Sequence, residues 1–226
     1  MKKTTPPLQT VTVHDDELAQ RCARGRVVVI DDDKDVLDAL CALIHMAGYA
    51  CESYSSGLTY LQVLSYNQPC FPGPCCILCD VKMPELSGLE LQQRLATLDD
   101  TPLLVMSGSS GVSEAVTAFR QGVLDFFTKP IDADTLLAGI DKALRLSTER
   151  QQHHLHQRLL AARVATLSQR ERDVARRVVQ GQTNPAIAQA LGIALRTVKL
   201  HRQHAMEKLA AGSLAELVRL ADEVGL

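Results

Sequence analysis

The sequence predicts an α/β protein built on a doubly wound, five-stranded parallel sheet, followed by a helical linker and a small all-α domain of four helices. Apolar runs at 27–30, 50–54, 76–79, 103–106 and 124–127 alternate with helical stretches, the order that builds a parallel sheet. Polar residues able to do chemistry close four of those runs: Asp31 and Asp32, then Asp80, Ser107 and Lys129. In a parallel sheet these ends share one edge, where strands deliver side chains into a crevice. The charge also changes sign along the chain. Residues 1–150 hold 13 Lys and Arg against 20 Asp and Glu, a balance of −7, whereas residues from 151 onward hold 11 against 6, a balance of +5. A basic second half points to a nucleic-acid partner.

Residues 1–25 mix Thr, Pro and charged side chains and read as an extension before the first strand. After that strand, Asp33 or Asp35 can cap a helix, whose Val36, Leu37, Leu40, Leu43 and Ile44 recur at helical spacing up to a stop at Gly48. The third run ends in Asp80-Val81-Lys82-Met83-Pro84. Three carboxylates converging at one edge repel one another unless a divalent cation shares them, and oxygen-only ligation with spare positions suits magnesium.

Past Pro130, a helix is expected from about residues 132–134, with Leu136, Leu137, Ile140, Ala143 and Leu144 on its apolar face. No Gly or Pro interrupts residues 140–180, so the linker is expected as one long or slightly broken helix. Ser168-Gln169-Arg170-Glu171 is a capping box opening the second domain. Its helix turns Val174, Ala175, Val178 and Val179 inward and stops at Gly181. Asn184-Pro185 caps a second helix ending at Gly192. A third, basic helix carries residues 196–204, and Ala194 ahead of it offers no side-chain cap. A second capping box, Ser213 with Glu216, opens a last helix whose Leu217, Leu220 and Ala221 suit packing or dimerisation.

A length of 226 residues with 46% hydrophobic content fits a two-part protein with real cores. There is no apolar stretch of about 18 residues to span a bilayer, and the first residues lack the apolar core of a signal peptide, so a cytoplasmic protein without a membrane partner is expected. Seven cysteines, an odd number, argue for a reducing compartment. Cys70, Cys75, Cys76 and Cys79 leave open a second reading as a thiolate metal or redox sensor, as do the linker residues His153, His154 and His156. Against it, side chains alternate across a strand and cannot all reach one ion, and buried cysteines ordinarily act as small apolar residues. No Gly-x-Ser-x-Gly nucleophile elbow marks a hydrolase.

With Asp31-Asp32, Asp80, Ser107 and Lys129-Pro130 in this order, residues 26–145 resemble the receiver domain of bacterial two-component response regulators. The resemblance implies a flavodoxin-like fold. It makes Asp80 the phosphoacceptor, Ser107 the phosphate-sensing hydroxyl, Phe126 the switch aromatic and Lys129 the phosphate-binding lysine. It also implies magnesium held by Asp31, Asp32, Asp80 and the backbone carbonyl of Lys82, with a cis peptide before Pro130. Beyond the linker at 146–164, residues 165–226 resemble the LuxR-type helix-turn-helix domain through Leu167-Ser168-x-x-Glu171, Gly181, Thr183-Asn184, Ile187-Ala188, Leu191-Gly192 and Thr197-Val198-Lys199-x-His201.

In such a domain Lys199, Leu200 and Gln203 are placed to read bases. Arg196, Thr197, His201 and Arg202 are placed for phosphates, with Thr183 and Asn184 as further DNA contacts. The whole chain resembles FixJ-like response regulators of the NarL/FixJ family. That resemblance implies a transcription regulator rather than an enzyme, apart from assistance to its own phosphorylation and dephosphorylation. Its implied partners are a sensor histidine kinase, double-stranded promoter DNA, RNA polymerase and, on phosphorylation, a second copy of the chain.

Overall fold

The computed structural model describes residues 24–66, 73–98, 100–108 and 112–226. Cys70 and nearly all of the N-terminal extension lie outside them. Two compact units divide after Gln151.

In the first unit the order is β1 (Arg26–Ile30), α1 (Lys34–Met46), β2 (Ala50–Tyr54), α2 (Gly57–Tyr66), β3 (Cys75–Asp80), α3 (Gly88–Leu95), β4 (Leu103–Ser107), α4 (Val112–Arg120), β5 (Asp125–Thr128) and α5 (Ala133–Ala165). The strands pair in parallel in the order β2-β1-β3-β4-β5. The chain steps one way from β1 and returns past it to β3, so a crevice opens at the C-terminal ends of those two strands. Both faces of the sheet are covered, which is why its strands are almost continuously apolar. Val27, Val29, Cys76, Leu78, Leu104 and Met106 enter one core layer with α1 and α5, while Val28, Ile30, Ile77, Cys79, Leu103 and Val105 enter the other with α2, α3 and α4.

Local sequence explains the elements that flank the crevice. Asp33 is the cap of α1, its side chain accepting the N–H groups of Asp35 and Val36, so Asp35 falls in the first turn. The helix stops before Gly48, whose φ of 84° lies in the left-handed region glycine favours. α5 runs for 33 residues, the long helix that the stretch without Gly or Pro leads one to expect. Gly139 lets that helix close on Phe127, because a Cβ there would lie 2.5 Å from the ring.

The second unit is built on α6 (Gln169–Val179), α7 (Asn184–Leu191), α8 (Leu195–Leu209) and α9 (Leu214–Val224). Its core joins Val174, Ala175, Val178, Ile187, Val198, Ala205, Leu209 and Leu217 to Leu160 of α5. Two local expectations change. The cap of α7 is Thr183, and Asn184 is the first helical residue. The box expected at Ser213 is half formed: Ser213 accepts the N–H of Glu216, but the Glu216 carboxylate turns to the N–H of Gly212. Leu217, Leu220 and Ala221 are buried in this unit's own core, the packing role that was one of the two expected of them. Among the described residues, no helix is long and apolar enough to cross a membrane.

Candidate functional site

Asp31 follows β1 and Asp80 ends β3, and because those strands are neighbours in the sheet their carboxylates come together. Both are buried. The ammonium of Lys129, just past β5, lies 2.7 Å from Asp31 Oδ2 and 2.6 Å from Asp80 Oδ1. The other Asp80 oxygen accepts the backbone N–H of Lys82 at 2.6 Å, and Asp31 Oδ1 accepts that of Asp33 at 3.0 Å. Partial burial pulls the Lys129 pKa down, but its bonds to Asp31 and Asp80 outweigh that and raise it. The lysine therefore stays charged and offsets part of the repulsion between the two carboxylates.

The expected residues fall as follows. Asp32 is exposed beside Asp31, and among the described residues no three His, Cys, Asp or Glu side chains stand close enough to hold an ion together. The donors at the crevice are nonetheless all oxygens, two of them buried carboxylates, a set that fits magnesium with water and phosphate filling its remaining positions. Ser107 is fully buried at the end of β4, and its carbonyl accepts the N–H of Lys129 at 2.8 Å. The Lys129-Pro130 peptide is cis. Phe126 is half-buried against the core layer under α4, whereas Phe127 enters the opposite layer.

Two residues here escape sequence reading. Glu114, in the first turn of α4, accepts the Ser107 hydroxyl at 3.0 Å. Gly88, first residue of α3, packs so tightly that a Cβ would stand 2.4 Å from the Asp80 carbonyl. The glycine lies at a helix start, where a turn would explain it equally well, and nothing in the local pattern ties Glu114 to Ser107.

The cysteines divide between the two layers: Cys76 in one, Cys79 and Cys75 in the other. Burial pushes the thiols of Cys76 and Cys79 well up. Of the linker histidines, His156 is 2.9 Å from Glu223 and His153 is 2.9 Å from Gln157.

In the second unit, α8 presents Arg196, Lys199, Leu200 and Gln203 to solvent, with Thr197, His201 and Arg202 half-buried. Val198, on the opposite side, is fully buried and anchors the helix. Thr183 is exposed, and Asn184 accepts from Arg202 at 3.4 Å, tying α7 to α8. Asn184, Lys199, Arg202 and Gln203 line a concavity of about 610 Å³. In the same unit, Glu171 does more than cap α6. It is buried, accepts the N–H of Ser168 at 2.8 Å and Lys208 Nζ at 2.6 Å, and lies 3.6 Å from His204 Nδ1. Bonding to Lys208, against the opposing effect of burial and with help from Ser168, lowers its pKa to about 2.

Residues 27–141 match the response regulator receiver domain, and residues 165–221 match the luxR family of bacterial regulatory proteins. The chain is 37% identical over 206 residues to the transcriptional regulatory protein FixJ of Bradyrhizobium diazoefficiens, covering 90% of this chain and 97% of that one. It is 35% identical over 199 residues to the response regulator protein TmoT of Ectopseudomonas mendocina, covering 88% of each. The solved structure of the response regulator StyR is similar at a TM-score of 0.77 and 34% identity, covering 89% of this chain and 100% of that one. Fold, crevice and helix-turn-helix unit together define a DNA-binding regulator governed by a receiver. The chain belongs to the two-component response regulators that join a receiver to a LuxR-type domain, and it acts in transcriptional regulation.

Proposed function

We propose that a sensor histidine kinase transfers a phosphoryl group to the carboxylate of Asp80, and that this controls pairing of two chains and their binding to promoter DNA. Support comes foremost from Lys129, whose ammonium holds Asp80 at 2.6 Å and Asp31 at 2.7 Å. An ionised, oriented carboxylate beside a fixed cation is the arrangement phosphoryl transfer needs, since its demands are alignment and charge neutralisation.

An Asp80 oxygen attacks phosphorus, the P–N bond to the kinase's histidine breaks, and the departing imidazole takes up a proton. The N–H of Lys82 fixes the carboxylate plane. Lys129 then binds a phosphoryl oxygen, and the Ser107 hydroxyl leaves Glu114 to donate to another. Phe126 turns into the space released, altering the face made by α4 and β5. A magnesium ion held by Asp31, Asp32, Asp80 and the Lys82 carbonyl would neutralise charge on the transferring group. The receiver thereby assists its own phosphorylation and dephosphorylation, while the chain as a whole remains a regulator.

The assigned boundaries are an extension at 1–25, the receiver at 26–145, a linker at 146–164 and the DNA-binding domain at 165–226. Lys199, Leu200 and Gln203 read bases in the major groove; Arg196, Thr197, His201 and Arg202 bind phosphates, and Thr183 and Asn184 are further DNA contacts. RNA polymerase is the further partner, and the cytoplasm the compartment. The test is promoter binding and sedimentation of the full chain at fixed salt with and without beryllofluoride and magnesium. Tighter binding and a dimer are expected; unchanged affinity and a monomer in both conditions would overturn the proposal.

A further inference from the structure

Outside the crevice, Cys41 of α1 and Cys51 of the edge strand β2 stand with their sulfurs 2.6 Å apart. Both are half-buried and both are free thiols. That separation is shorter than any ordinary contact between sulfur atoms and close to the roughly 2.05 Å of a disulfide. Bond formation therefore needs only a small movement of side chains already facing one another.

We propose that Cys41 and Cys51 are a modification site, a thiol pair that closes to a disulfide on meeting a low-molecular-weight disulfide. The Cys41 thiolate attacks one sulfur of the small disulfide, whose S–S bond breaks and releases one half as thiolate. Cys51 then gives up its proton and attacks the Cys41 sulfur of the mixed disulfide, expelling the second half. Two protein thiols are oxidised, the small disulfide is reduced to two thiols, and the two protons lost by the protein are taken up by them. Burial first, and then Cys41 beside it, push the Cys51 thiol up; the exchange balances equally with the roles of the two cysteines reversed.

Such a bond ties α1 to β2 directly. α1 is capped by Asp33, which follows Asp31 and Asp32 at the crevice, so the bond restrains the helix that comes directly after the acidic edge of the site. A pair of this kind in a reducing compartment is a reversible sensor rather than a permanent brace. Cys76 and Cys79 lie in opposite core layers and so do not face one another in this way.

The test treats the full chain with oxidised glutathione, alkylates the remaining thiols and digests with chymotrypsin, which cuts after Tyr49 between the two cysteines. Expected is one linked pair of peptides bearing Cys41 and Cys51, two hydrogens lighter and separated again by dithiothreitol. Alongside it, the receiver's melting transition should move up in the wild type and stay still in Cys41→Ser. Both cysteines alkylated independently, glutathione left on either as the end product, or Cys51 linked instead to Cys76 would each overturn the proposal. Circular dichroism of the untreated variant checks that it folds, and Cys51→Ala supplies the same control from the other side.

Discussion

The buried hydroxyl of Ser107 donates to the carboxylate of Glu114 at 3.0 Å, so the group expected to meet a phosphoryl oxygen is already bonded to an anion. The carboxylate competes for the hydroxyl and adds negative charge near the incoming phosphate. Replacing one such charged hydrogen bond shifts an equilibrium by about 1.5 kcal/mol or more, roughly tenfold. Glu114→Gln should therefore lower by about that factor the beryllofluoride concentration that drives dimerisation, measured by sedimentation. No change in that concentration would mean the bond has no part in the switch.

Asp80→Asn removes the proposed nucleophile but preserves shape and an oxygen to accept the Lys82 N–H. The variant should fold with unaltered circular dichroism and take up no label from radioactive acetyl phosphate. Label equal to wild type would place the acceptor elsewhere.

Lys199 and Arg202 differ in surroundings, because Lys199 is exposed on α8 while Arg202 is half-buried against Asn184. Lys199→Ala should reduce discrimination between operator and random DNA by about 1–3 kcal/mol. Arg202→Ala should weaken both kinds of DNA alike and flatten the salt dependence of binding. Quantitative footprinting on two sequences at two salt concentrations separates the outcomes.

Glu171 links acidity to the stability of the second unit. Its pKa is lowered from the ordinary 4.5 to about 2 by Lys208, against the opposing effect of burial and with help from Ser168. A carboxyl group more acidic when folded than when unfolded contributes stability that is complete above about pH 4.5 and lost as pH falls towards about 2. Glu171→Gln should cost about 1–3 kcal/mol at neutral pH and remove that acid-side slope. Thermal melts of wild type and variant between pH 7 and pH 3 measure both effects; parallel curves would count against the linkage.

The architecture was legible because periodicity carries it. Alternating apolar runs and helical stretches specify a parallel sheet, and the ends of a parallel sheet's strands share an edge, so Asp80, Asp31 and Lys129 could be grouped before any coordinate was known. The long α5 was legible for a similar reason, the absence of any helix breaker. Caps were less so: Thr183 and Asn184 are both good cap residues, yet Thr183 takes the cap position without a side-chain bond and Asn184 accepts from Arg202 instead. The Glu216 carboxylate faced an equally local choice between Ser213 and Gly212, and took Gly212.

By itself, the sequence determined the classes of element, their order, and which chemical groups stand at the strand ends, since these depend on neighbours a few residues apart. Only the tertiary structure decided that Lys129 bridges Asp31 and Asp80, that Glu114 holds Ser107, that Glu171 reaches Lys208, and that Cys41 faces Cys51. Each of those contacts depends on strand order or helix packing, and a distance of 2.6 Å between residues 37 positions apart, as between Glu171 and Lys208, leaves no trace in local spacing.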